Sequence, residues 1–128
     1  IGIQKNSNTL KLFDTAHQYG MKYILAEELF FENLPAVYQK IDEVTASCEV
    51  LYLTICMDVF NASIAPGVSA AAYNGIFADS AFMHYFKHIL KSEKLLAFDI
   101  AEVNPVFDLN ERTARLAASL ANEWFLLK

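Results

Sequence analysis

The stretch LYLTICMDVFNASIAPG, residues 51–67, decides how this chain is read. Its opening residues are rich in β-formers and almost wholly apolar, as in a parallel strand covered on both faces. The run then turns polar, and Pro66 and Gly67 punctuate a loop. Cys56 and Asp58 stand at the junction, two residues apart and therefore on one side of an extended strand. A hard divalent cation at such a tip calls for paired carboxylate oxygens. The chain offers one carboxylate and one thiol.

Working outward, the pattern is one of alternating strands and helices. Residues 1–4 read as the end of a strand already under way, and hence the chain as a piece of a longer protein. Asn8 or Thr9 caps a helix that buries Leu10, Phe13 and Ala16 and stops at Gly20. Residues 22–26 read as a short apolar strand. Asn33, with Leu34 and Pro35 in the first turn, opens a helix with Leu34, Val37, Ile41 and Val44 on one face. Val50 to Ile55 is the third strand. Asp79 caps a helix presenting Phe82, Phe86 and Ile89 or Leu90, and Lys94 to Ile100 is the fourth strand. Asn110 and Glu111 begin a last helix with Thr113, Leu116, Ala117, Leu120, Trp124 and Leu127 inward. Four alternations predict an α/β fold with a mainly parallel sheet and helices on both faces.

Composition bounds the rest. At 128 residues the chain is one domain with room for a real core. A hydrophobic share of 55% against 20% charged residues is high, so some apolar surface is expected to be covered by something else, or to drive self-association into a homo-oligomer. The net charge of −5 provides no basic patch, which argues against nucleic acid and anionic membrane as partners. No signal peptide is visible, and no uncharged run reaches the roughly 18 apolar residues of a membrane span. Cys48 and Cys56 flank one strand, about 26 Å apart at about 3.3 Å per residue, too far for a disulfide. A reducing, cytoplasmic setting fits them.

A second strand tip is polar in the same way. FDIAEVNP, residues 98–105, places Asp99 inside an apolar strand and Glu102 just beyond it. Acidic residues at two neighbouring tips suit a metal ion and a cationic substrate group. Two longer runs carry a resemblance. LTICMDVFNASIAPGVSA, residues 53–70, resembles the metal-binding signature of the arginase/agmatinase/formimidoylglutamase superfamily, the ureohydrolases. FDIAEVNPVFDLNERTARLAASL, residues 98–120, resembles that family's closing motif. The APGVS and TARLA wording is most similar to the formimidoylglutamase branch. The resemblance spans the whole chain but only the C-terminal part of a full family member.

The resemblance implies a three-layer α/β/α fold and a binuclear Mn2+ centre that lowers the pKa of a bridging water for attack on an amidine or guanidine carbon. It gives Asp58 the role of a metal ligand, and Glu102 that of the carboxylate receiving the substrate's planar cationic group. Cys56 stands where the family has its bridging aspartate, and Ala71 where it usually has proline. The upstream motifs that supply the other ligands and the general acid/base have no match here. His17, His84 and His88 correspond to none of them. The implied activity is hydrolysis of N-formimidoyl-L-glutamate to glutamate and formamide in histidine breakdown, with this chain alone inactive. The alternatives are arginase or agmatinase specificity, or a degenerate family member serving in binding or assembly.

The remaining candidates have plainer readings. Asp99 reads as structural, hydrogen-bonded near its strand end. His84 and His88, at i and i+4, lack the intervening glutamate of a metalloprotease helix and read as a surface pair. Ser69 lacks the flanking glycines of a nucleophile elbow. The scattered Gly2, Gly20, Gly67 and Gly75 form no phosphate-binding loop, which argues against a flavodoxin-like domain.

Overall fold

In the computed structural model, which describes residues 1–127, two strands, β1 (Leu51–Cys56) and β2 (Leu95–Ala101), pair in parallel. Parallel strands need a crossover, and α3 (Ser80–Leu90) lies in the connection. The other helices are α1 (Leu10–Gln18), α2 (Leu34–Ala46) and α4 (Arg112–Leu127). Register runs from Leu51 opposite Leu95 to Cys56 opposite Ala101, with an irregularity after Leu51. This register brings the two polar strand tips side by side.

One apolar cluster joins the elements. Val37 and Ile41 of α2, Phe82, Phe86 and Leu90 of α3, and Ala117 and Leu120 of α4 pack with Ile55 and Leu95 of the strands. Phe98 of β2 meets Trp124 of α4 with ring centroids 5.2 Å apart. Of the alternatives at the end of α3, Leu90 is the fully buried one. The cap of α3 is as the sequence predicts, Asp79 Oδ1 accepting the Phe82 amide at 3.0 Å. Gly20 ends α1 at φ 63, with the Met21 amide donating back to the Ala16 carbonyl. Lys94 ties the end of α2 to the start of β2 by donating to the carbonyls of Thr45 and Cys48, each at 2.7 Å.

Several expectations are corrected. The strands at 1–4 and 22–26 reduce to a single bridge, Ile3 with Leu25. The reason is local: the Leu25 amide goes to Glu28 Oε2 at 2.7 Å, and Ala26–Glu28 turns at once into a 3-10 helix. The first helix does not bury Leu10, which is exposed, and it has no buried residue at all; Phe13 and Ala16 are half-buried. Its predicted caps are unused, since Thr9 makes no side-chain cap bond and Asn8 turns back to the Gln4 carbonyl. Asn33 likewise bonds the Glu28 carbonyl rather than α2, and Val44 is exposed while Leu34, Val37 and Ile41 are buried. Asn110 and Glu111 do not begin α4: both have left-handed backbones, with φ 53 and 58.

The strand at the centre of the reading is covered on one face only within these residues. Ile55 is buried and Leu51 and Leu53 half-buried, whereas Tyr52 and Thr54 are exposed. Large apolar side chains elsewhere are also open, among them Leu96, Val106, Phe125 and Leu126. The edge of β1 away from β2 carries no further strand among the described residues. The purified chain is therefore expected to self-associate, and light scattering checks this: a monomer across a tenfold range of concentration overturns it. No helix among the described residues is long and apolar enough to cross a membrane.

Candidate functional site

The site lies where β1 and β2 end. β1 stops at Cys56, and Met57–Val59 closes into a 3-10 turn anchored by the fully buried Met57. Asp58 therefore sits in the turn and not on the strand, which corrects the reading of two residues along one extended face. The two side chains still meet. The Cys56 thiol is pushed up to about 11, first by burial and then by its hydrogen bond to the Asp58 carboxylate, with Glu102 adding a repulsive charge. In this setting it is a protonated thiol at neutral pH.

Glu102 follows β2 directly, at φ 64. A left-handed backbone is costly for a residue with a Cβ, so surrounding contacts must hold it there. They come from Ser69, whose amide donates to Glu102 Oε2 at 3.2 Å and whose hydroxyl donates to the same oxygen. The hydroxyl first, then the amide, hold the Glu102 carboxyl below its ordinary range. By sequence Ser69 lacks the surroundings of a nucleophile, and its part here is to hold Glu102. Its place beside the AlaProGly turn is a signal only once the turn is folded against β2.

The loop carrying Ser69 is pinned at several points. The Gly67 amide donates to Thr113 Oγ1 at 2.7 Å, and the Gly67 carbonyl accepts from the Asn104 amide at 2.7 Å. Val68 is buried. Asp108, ahead of the residues expected to begin α4, caps it by accepting from the amides of Thr113 and Ala114 at 3.0 and 3.1 Å. Burial raises its pKa, but those amides outweigh it and leave the carboxyl below its ordinary value. An aspartate ahead of a helical run was the available signal, masked by Asn110 and Glu111.

A cleft of about 510 Å³ opens beside the tip of β1 and takes in Thr54, Cys56, Asp58, Gln4 and Tyr85, but not Glu102. Two polar atoms buried on its wall, Gln4 Oε1 and the Tyr85 hydroxyl, have no partner. The histidines lie elsewhere. His84 is exposed and meets Phe31 in a T-shaped contact, and His88 lies tilted against Tyr38 and bonds Asp42 at 2.6 Å, so the pair does not act jointly. Asp99 accepts from the Tyr52 hydroxyl at 2.6 Å, as a structural residue would. Cys48 and Cys56 are both free thiols.

The donor set does not fit a pair of hard divalent ions held by this chain alone. Asp58 supplies one carboxylate, Cys56 a soft sulfur in place of oxygens, and among the described residues no three His, Cys, Asp or Glu side chains cluster in a way that could hold a metal.

Comparison with known proteins covers nearly the whole chain. The sequence profile of the Arginase family matches residues 1–127. The chain belongs to the arginase family. It is 43% identical over 124 residues to the formimidoylglutamase of Geobacillus sp. (strain WCH70), covering 96% of this chain and 38% of that protein. The solved formimidoylglutamase from Bacillus subtilis superposes with a TM-score of 0.89 at 23% identity, over 98% of this chain and 39% of the other. The formiminoglutamase of Trypanosoma cruzi, solved with Mn2+, gives 0.81 at 18% identity, over 98% and 42%. The arginase-like α/β fold is thus established. The chain spans about two fifths of the length of these family members.

Proposed function

We propose that this chain is the C-terminal, substrate-orienting part of a formimidoylglutamase-type amidine hydrolase, acting on N-formimidoyl-L-glutamate. The observation that carries the reading is the pairing of tips: Glu102, ionised and held by Ser69, stands at the end of β2 beside the Cys56–Asp58 turn at the end of β1. A carboxylate fixed in this way receives a planar amidinium through charge-assisted hydrogen bonds. Water adds to the amidine carbon, the bond from that carbon to the glutamate nitrogen breaks, and the proton goes to the departing amine. Glutamate and formamide result. Glu102 orients the amidinium and Asp58 contributes a second carboxylate at the adjacent tip. Activation of the water and the general acid/base are assigned to polypeptide outside these 128 residues, as are the remaining ligands of a Mn2+ pair. Two free thiols support a reducing, cytoplasmic setting.

The purified chain is expected to release no formamide from N-formimidoyl-L-glutamate above the buffer rate, and to bind no Mn2+ in equilibrium dialysis. Robust turnover overturns the assignment of the chemistry to other polypeptide. Cys56 favours a second reading, a family member retained for binding or assembly. Within a longer chain carrying the upstream motifs, Cys56→Asp separates the two. Recovery of Mn2+ and turnover only in the variant supports the degenerate reading, and equal activity without the change supports the enzyme.

A further inference from the structure

We infer that Ser69 is a positioning residue that leaves Glu102 one open carboxylate oxygen, and thereby selects a substrate offering one terminal nitrogen, a substituted amidinium, over the two-nitrogen fork of a guanidinium. The inference rests on the reading of Glu102 as the substrate carboxylate and goes beyond it by naming what sets the choice of cation.

A carboxylate oxygen has two lone-pair directions. At Oε2 of Glu102 both are taken, one by the Ser69 amide and one by the Ser69 hydroxyl. Oε1 is left for a ligand. A guanidinium on an alkyl chain binds best when its two terminal nitrogens each donate to a separate oxygen of one carboxylate. With Oε2 saturated, that fork has one prong without an acceptor. An N-alkylformamidinium whose chain lies on the side of its unsubstituted nitrogen turns its second N–H away and presents only that unsubstituted nitrogen, which a single open oxygen satisfies. The arrangement is rigid on both sides. Gly67 is held at both its amide and its carbonyl, Val68 is buried, and Glu102 follows the last β2 residue paired with β1. These anchors hold the backbone that carries each partner, so the Ser69 amide stays on Oε2 unless they break.

The test uses the chain itself, carbon-13 labelled, with N-methylformamidinium and methylguanidinium as probes and the Glu102 side-chain carboxyl signal as readout. Ser69 is exposed, so Ser69→Ala leaves the core intact. In the unaltered chain methylguanidinium is expected to bind no better than N-methylformamidinium. In Ser69→Ala the ratio of affinities should move toward methylguanidinium by about threefold to tenfold, the worth of one hydrogen bond regained. Ser69→Thr, which keeps the hydroxyl, should restore the original ratio. An unchanged ratio in Ser69→Ala overturns the inference and leaves the substrate role of Glu102 standing, as does failure of Ser69→Thr to restore it. If neither cation shifts the Glu102 signal in any version, the substrate role itself fails, and the inference with it.

Discussion

Phe60→Ala is expected to destabilise the fold by about 3–5 kcal/mol, the range for truncating a fully buried aromatic. Phe60 has no exposed surface, and its ring makes a T-shaped contact with Phe82 of α3, centroids 5.1 Å apart. Its backbone bridges Ile76, so one residue joins the helix layer to the loop below the site. It also ends the 3-10 turn that holds Asp58, its amide closing on the Met57 carbonyl. Total stability of about 5–15 kcal/mol is usual for a domain, so a loss of this size removes a large part of it. Urea denaturation followed by circular dichroism measures it. A shift under about 1 kcal/mol would place the anchor of the loop elsewhere.

Gly67→Ala should cost about 2–4 kcal/mol, combining overpacking with a disturbed helix cap. A Cβ at Gly67 would lie 2.5 Å from the Cβ of Asp108, 2.7 Å from its Cγ and 2.9 Å from its Cα. Asp108 cannot retreat without releasing the amides of Thr113 and Ala114. Two of the three collisions involve its side chain, which gives a decisive control. In an Asp108→Gly background the added cost of Gly67→Ala should fall by at least half, a coupling that a double-mutant cycle reads directly. Strict additivity would show that the collision is relieved by backbone movement instead.

What the sequence displayed and what it concealed follow a physical division. Asp79, Gly20 and Pro35 act on their own helix ends within a few residues, so their roles were legible. So was the apolar face of α4, set by helical period. The exposed side of β1 was not, because an apolar run shows only what a strand tolerates, not what lies against it. Leu25 reads as strand by its side chain, while its backbone amide is committed to Glu28. At the site, the types and order of Asp58 and Glu102 were readable as motif. The Ser69 hold on Glu102 spans 33 residues and exists only after α3 has carried β2 back beside β1. Asp108 was missed for the opposite reason: two polar residues nearer the helix offered an easier cap.

The backbone of Glu102 has a bearing on stability. At φ 64 glycine is relaxed and a side chain is penalised. Glu102→Gly would relieve that strain and at the same time surrender the carboxylate that Ser69 clasps, so the turn after β2 trades local stability for a charge held in one place.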